Sequence, residues 1–180
     1  MVYNVFESTN MASTHYAERI FDAVADVDIE NGTFGYLDEL KDGFSHIYNF
    51  KVGTKKGAFV VVVDQPVWTE DTSRMTNQRK DKFIIPAGTP FRVRTVKERD
   101  EFAIAAEGFT PATRNSADKD KYVTIDSATG KLVVADAPVD GAAMNGKIMR
   151  TRVMGNVVTT AIREYGYSRK MYEIKVEALA

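Results

Sequence analysis

The stretch KMYEIKVE, residues 170–177, decides the fold class. Apolar side chains alternate in it with charged ones, Tyr172, Ile174 and Val176 against Glu173, Lys175 and Glu177. A period of two places neighbouring side chains on opposite faces, so the stretch predicts a strand with one buried face. Related patterns recur at residues 46–52, 89–96, 102–106, 122–125, 131–135 and 149–153. Many short strands at close spacing predict a mainly β protein with a β-sandwich or barrel-like domain.

Turn residues and one apolar run add to this interpretation. The sequence DSATG at 126–130 separates two of the predicted strands, and its aspartate and glycine favour a hairpin with a longer loop. The run AFVVVV at 58–63 predicts a buried strand. It is far shorter than the roughly 20 apolar residues that a membrane-spanning helix needs, so we expect no membrane partner.

Helix signals are scarce and concentrate near the start of the chain. Residues 14–25 carry a helical stripe of apolar side chains, Tyr16, Ile20, Phe21 and Val24. The first ten residues alternate weakly and predict either an edge strand or an extended arm that pairs with another chain. We therefore expect residues 1–25 to form an N-terminal arm or short helix, 26–110 a main β domain, and 120–180 a C-terminal β subdomain. A single compact unit is the alternative.

Composition narrows the classes of function. The chain has 24 Lys and Arg against 25 Asp and Glu, and this balance disfavours a nucleic-acid partner. It has no cysteine, which excludes disulfides and thiolate metal sites. The first residues lack the basic and long apolar regions of a signal peptide, so we expect synthesis in a cytoplasm.

Side chains that often carry catalysis are few or poorly placed. The two histidines, His15 and His46, do not stand at a metal-ligand spacing. Residues 141–147, GAAMNGK, match the first seven positions of a phosphate-binding loop, but Ile148 replaces the required Ser or Thr and a strand pattern follows. We predict no catalytic, cofactor-binding or metal-binding residue, and no enzyme activity.

Two alternatives remain open at this stage. The carboxylates of Asp26, Asp28 and Glu30 would share one face of a strand, which could serve a hydrolase or simply be a polar face. Trp68, the single tryptophan, could stack on a sugar, although a core or interface position is more common for this residue type.

Three segments resemble structural proteins of tailed bacteriophages. Residues 82–94, KFIIPAGTPFRVR, resemble the strand, Pro-Ala-Gly turn, strand units that are common in those proteins. Residues 122–133, YVTIDSATGKLV, followed by 146–148, GKI, are similar to a hairpin of small head decoration (cement) proteins. Residues 10–12, NMA, and 29–36, IENGTFGY, are similar to openings of phage proteins expressed beside the major capsid protein.

The resemblance implies a β-rich virion protein that binds the outside of a phage capsid and stabilises it. Its partners would be the major capsid protein and neighbouring copies of itself, with a trimer as one arrangement, and it would be located on the capsid surface after synthesis in the host cytoplasm. From the apolar N-terminal segment and the tryptophan we predict the contact residues Val2, Tyr3, Val5, Phe6, Tyr16, Phe21 and Trp68. Another virion component, such as a head-fibre base or tail subunit, and a carbohydrate-binding module are the alternatives.

Overall fold

The structure is a computed structural model that describes residues 2–16, 19–66, 82–154 and 169–179. It is 46% strand and 8% helix, which confirms the mainly β fold with little helix. The strands in chain order are β1 (Phe6–Asn10), β2 (Ile20–Val24), β3 (Phe34–Leu40), β4 (Ile47–Val52), β5 (Val61–Val63), β6 (Phe91–Thr95), β7 (Glu101–Ala105), β8 (Tyr122–Ile125), β9 (Leu132–Ala135), β10 (Met144–Met154) and β11 (Arg169–Leu179). Helix α1 (Ala12–His15) and the 3-10 turns Ala106–Gly108 and Arg114–Ser116 complete the described elements.

Strands β2 to β6 form a closed barrel in the order β2-β4-β3-β5-β6. Only β2 and β4 run parallel, and β6 pairs antiparallel with both β5 and β2 to close the ring. Closure leaves none of these five strands with a free edge. The barrel interior is filled by apolar side chains, among which Phe50 and Phe91 meet edge to face at 5.5 Å between ring centroids.

The other six strands form an antiparallel sheet in the order β1-β7-β11-β10-β8-β9. The alternation at 170–177 has the predicted consequence, because Tyr172, Ile174 and Val176 are buried. Strand β1 lies at one edge of the sheet, which was one of the two predictions for the first ten residues. The hairpin predicted around 126–130 is confirmed by the antiparallel pair β8 and β9.

One phenylalanine connects the barrel to the sheet. Phe102 of β7 is completely buried, and its ring centroid lies 5.5 Å from that of Phe6 in β1 and 5.6 Å from that of Phe34 in barrel strand β3. Val62 of the barrel belongs to the same apolar cluster. The two sheets therefore share one core.

Two glycines let the β8–β9 hairpin approach the barrel backbone. Gly53 has φ of 93°, and a Cβ atom on it would lie 1.9 Å from the Ser127 carbonyl oxygen. Gly130 has φ of 63°, and its Cβ would lie 2.2 Å from the Phe34 carbonyl oxygen. The amide of Phe34 donates to the Gly130 carbonyl at 2.8 Å, so the contact also satisfies backbone groups.

The helix predicted for residues 14–25 is wrong over most of its length. A four-residue helix, α1, is followed by strand β2, which begins at Ile20. In β2, Phe21 pairs with Val93, and Ala23 pairs with both Tyr48 and Phe91. These pairings are distant in sequence and bury Ala23, so tertiary contacts override the local helical pattern.

Chain order and spatial order differ in this fold. The barrel takes its strands from residues 20–95, whereas the sheet takes β1 from 6–10 and its other strands from 101–179. The first 25 residues thus supply one strand to each sheet. The segment 110–121 contributes the buried Ala117 to the shared core.

We predict that Phe102→Ala lowers the free energy of unfolding by about 3–5 kcal/mol, because it removes the ring shared by both sheets. Phe59→Ala is the matched control, since Phe59 is 74% exposed, and it should change stability by less than about 0.5 kcal/mol. Urea denaturation followed by circular dichroism checks both values. Equal effects of the two variants would contradict the shared core.

We also predict that Gly53→Ala destabilises the protein far more than Gly57→Ala. Both glycines have positive φ, 93° and 79°, so both variants share a backbone strain of about 1–2 kcal/mol. Only Gly53 has backbone atoms of another segment against its Cβ position, whereas Gly57 has open space. A similar melting temperature for the two variants would show that the hairpin does not contact the barrel in this way.

Candidate binding cleft of the barrel

A half-open cavity of about 590 Å³ lies on the barrel, and we call it the barrel cleft. Each of the five barrel strands contributes one or more lining residues, which include Phe21, Leu37, Tyr48, Val61 and Thr95. Phe21 and Leu37 pack against the barrel core, to which Val61 belongs. The floor of the cleft is therefore continuous with the barrel interior, and its position depends on ring closure.

Aromatic rings form much of the apolar wall. Phe21 and Tyr48 meet edge to face, with centroids 5.8 Å apart and an interplanar angle of 88°. Phe59 lies on the segment before β5 and is 74% exposed, the highest value among the exposed large apolar residues of the described part of the chain. Together with the cavity wall, this exposed ring provides apolar surface that a ligand could cover.

Of the three charged side chains that line the cleft, one has an ion-pair partner among the described residues and two do not. The one carboxylate in its lining, Asp38, accepts a hydrogen bond from Lys55 at 3.2 Å. The two lining cations are instead placed near aromatic rings: Lys97 Nζ lies 4.9 Å from the Phe59 centroid, and Arg19 Cζ lies 5.2 Å from that of Tyr16. Neither cation forms an ion pair with any described residue. Among the described residues, the cleft thus presents two cations without an ion-pair partner beside apolar surface.

The predicted contact residues differ in their surroundings. Val2 and Tyr16 are 38% and 56% exposed, and Tyr3 is half-buried. Phe21 lines the barrel cleft. Val5 and Phe6 are buried against the chain's own core, and Trp68 lies outside the described residues. Partner contact by these residues stays a prediction, with Val2, Tyr16 and Phe21 in accessible positions.

Sequence reasoning missed Tyr48, Phe59 and Lys97 as cleft residues. Tyr48 was recognised only as part of a strand pattern, and Phe59 was included in an apolar run that predicts a buried strand. Strand β5 begins at Val61, two residues after Phe59, and the phenylalanine stays exposed. The available signal was the unequal run GAFVVVV, in which a glycine, an alanine and a bulky ring precede the four valines.

The carboxylates considered for a hydrolase do not share one strand face. Asp26, Asp28 and Glu30 lie between β2 and β3, and each has its own partner. The Asp26 carboxylate pairs with Lys51 at 3.5 Å. Asp28 accepts a hydrogen bond from the backbone amide of Ala87 at 3.0 Å. Glu30 accepts one from the backbone amide of Asn4 at 2.8 Å. These bonds connect the segment between β2 and β3 to other parts of the chain, so each of the three acidic residues has a structural role.

The remaining candidates occupy ordinary positions. His15 and His46 are both exposed. Gly146 and Lys147 lie inside β10, so a strand occupies the place where a phosphate-binding loop would begin a helix. Within residues 2–16, 19–66, 82–154 and 169–179, no group of three metal-binding side chains occurs. No helix in this part of the chain is long and apolar enough to cross a membrane.

The clearest electrostatic cluster lies on the sheet, away from the barrel cleft. Arg150 of β10 donates to Glu173 of β11 at 2.5 Å, and Arg152 contacts the same carboxylate at 2.9 Å. The hydrogen bond from Arg150 is the main cause that lowers the pKa of Glu173 below its ordinary value, with the charge of Arg152 adding to it. Arg152 also bonds to Glu7, so the cluster joins β10, β11 and β1.

Comparison with known proteins gives no family for the chain: no family model matches it, and no curated protein or solved structure matches it.

We predict that Glu173→Gln lowers the melting temperature at pH 7 by about 1–3 °C, because a mostly surface ion-pair cluster contributes little. A carboxylate whose pKa is lowered by folding stabilises the folded state above its unfolded pKa, near 4.5. The difference between wild type and variant should therefore shrink as the pH falls from 4.5 through the folded pKa. Glu98→Gln, at an exposed glutamate, is the control, and a difference that persists at low pH would contradict the assignment.

Proposed function

We propose that this chain is a non-enzymatic virion structural protein that binds the outside of a tailed-phage capsid and stabilises it. The observation that carries the proposal is the barrel cleft, where an exposed aromatic ring lies on a closed β scaffold beside two cations that form no ion pair with a described residue. Rigid strands that present exposed aromatic and cationic side chains suit protein binding. A capsid is proposed as the partner because residues 82–94 and 122–133 resemble phage structural and decoration proteins.

Several charged groups that could take part in chemistry are engaged in holding the fold together. Asp64 pairs with Arg94 at 2.5 Å and accepts a hydrogen bond from Ser8, which connects the barrel to β1. Asp100 is buried and accepts from the amides of Ala12 and Lys97, both at 2.8 Å. These interactions support a structural role, because each carboxylate bonds to groups of two different segments.

Binding to a capsid would repeat the same modest interface at many equivalent sites. Exposed apolar residues in the described chain lie at several places outside the cleft, including Val2, Tyr16, Phe44 and Val153. A shell offers many equivalent sites, and simultaneous contacts with the shell and with neighbouring copies raise the overall avidity beyond that of one contact. The partners in this proposal are the major capsid protein and other copies of the chain.

A carbohydrate-binding module is the second candidate, favoured by the rings of Phe21, Tyr48 and Phe59 in one cleft. Sugar rings stack on exposed aromatic faces, but recognition also needs polar groups that bond to hydroxyls. Oligosaccharide-array binding that disappears in Tyr48→Ala, with an unchanged melting curve, would favour this candidate over the capsid.

We expect the purified chain to sediment with capsids that lack it and to saturate at a stoichiometry tied to the number of capsid subunits. Light scattering of the free chain supplies its oligomeric state for the same calculation. A chain that stays in the supernatant at every concentration tested would contradict the proposal. Attachment only to tails or fibres would indicate the other virion positions.

Point variants test the predicted N-terminal contacts better than truncation does. Removing the first 12 residues would also remove Phe6 and Met11 from the core, which would confuse binding with stability. Tyr16→Ser changes a 56% exposed side chain, and Val27→Ser changes a 57% exposed one as its control. We expect Tyr16→Ser to lower capsid occupancy more than Val27→Ser does, and equal occupancy would exclude Tyr16 as a contact.

A further inference from the structure

We propose that the barrel cleft binds an acidic peptide segment of the capsid partner, inserting an aromatic or large aliphatic side chain that is flanked by carboxylates. The capsid as the source of this segment rests on the function proposed above. The chemistry of the segment rests on the cleft alone.

The apolar side chain of the proposed ligand is inferred from the floor and walls of the barrel cleft. Val61 is 1% exposed and forms part of the floor, and Phe21 and Leu37 stand beside it at the barrel core. A volume of about 590 Å³ is within the range of roughly 300–1,000 Å³ that is typical of sites for small ligands. The cleft can therefore hold a bulky side chain together with the backbone on either side of it.

The carboxylates of the proposed ligand are inferred from the charged side chains of the barrel cleft. Asp38 of the lining pairs with Lys55 beside it, which leaves Arg19 and Lys97 as the lining charges without an ion pair among the described residues. A carboxylate near Lys97 would form an ion pair beside the Phe59 ring, where nearby apolar surface reduces screening by water. A basic segment would meet repulsion, which gives the cleft a preference by charge.

A nucleic acid is a weaker candidate for the same positive charge. Binding to a phosphate backbone uses an extended row of cations. The cleft lining has two lysine or arginine side chains, and apolar and aromatic residues occupy most of the remaining surface. The net charge of −1 for the whole chain also gives no long-range attraction for a polyanion.

Phe59 has a specific part in this arrangement. It is 74% exposed in the free chain, and its ring lies 4.9 Å from the Lys97 ammonium group. A segment lying in the cleft would cover this ring and remove apolar surface from water. Phe59 is therefore the residue whose truncation should weaken binding while leaving the fold unchanged.

The test uses four peptides with blocked ends, EEFEE, QQFQQ, KKFKK and EEGEE, titrated into the isotopically labelled full chain and followed by NMR. We expect EEFEE to bind most tightly and to shift the resonances of Phe21, Tyr48 and Phe59. Binding should weaken when salt is added, because its charge component is screened. Equal affinity for EEFEE, QQFQQ and KKFKK, or shifts located elsewhere, would overturn the proposal.

Variants with matched controls locate the interaction. Lys97→Gln should weaken EEFEE binding about fivefold, the change expected for losing one ion pair of about 1 kcal/mol, whereas Lys119→Gln at a remote exposed lysine should not. Phe59→Ala should weaken both EEFEE and QQFQQ, whereas Phe44→Ala, at a 48% exposed ring outside the cleft lining, should weaken neither. Equal losses in the test and control variants would overturn the assignment.

Capsid sedimentation of the same variants separates this inference from the proposed function. Wild-type chain that binds capsids, with Phe59→Ala and Lys97→Gln binding less, supports both. Wild type and both variants sedimenting equally would overturn the cleft as the capsid contact and leave the proposed function standing. Failure of the wild type itself would overturn the proposed function and, with it, the capsid as the source of the peptide.

Discussion

The packing of Phe102 between Phe6 and Phe34 is the interaction on which the rest of the structure depends. It joins the edge strand of the sheet, the strand beside it and a barrel strand in one apolar contact. Because β1 precedes the barrel in sequence and β7 follows it, this contact holds together the two ends of the chain segment that forms the barrel. The Gly53 and Gly130 contacts then fix the β8–β9 hairpin against the barrel.

This architecture leaves the barrel cleft as an accessible apolar site on an otherwise closed ring. Ring closure pairs every barrel strand on both sides, so the barrel offers no free edge for strand addition. Recognition by the barrel must therefore use side chains, and the cleft concentrates suitable ones: three aromatic rings and two cations without ion-pair partners among the described residues. This arrangement is the observation behind the proposed binding role.

Much of the local fold could be predicted from the sequence, because one-sided burial leaves a period of two. The alternation is clearest in β4, β6 and β11, whereas β7, β8 and β9 were predicted from shorter apolar segments. Strand β2 could not be predicted, since Ile20, Phe21 and Val24 also fit a helix, and the parallel partner that selects the strand is β4. Strand β10 was predicted only at 149–153, because Gly146 and Asn145 interrupt its apolar pattern.

The candidate site was less predictable than the fold, for a physical reason. Its residues come from all five barrel strands and from the segments beside them, and the folded barrel brings them together. Phe21 was selected for its apolar character, whereas the importance of Phe59 and Lys97 depends on exposure and on the Lys55–Asp38 pair. The exposure of a side chain and its ion-pair partner depend on the folded structure, so they cannot be inferred from the spacing of residues in the sequence.

Electron cryo-microscopy of capsids saturated with the chain would test the central claim most directly. The account predicts density for the chain at regular positions on the outer surface of the shell, with Phe59 and Lys97 turned toward an acidic segment of the major capsid protein. Bare shells under saturating conditions, or bound copies with the barrel cleft facing solvent, would contradict it.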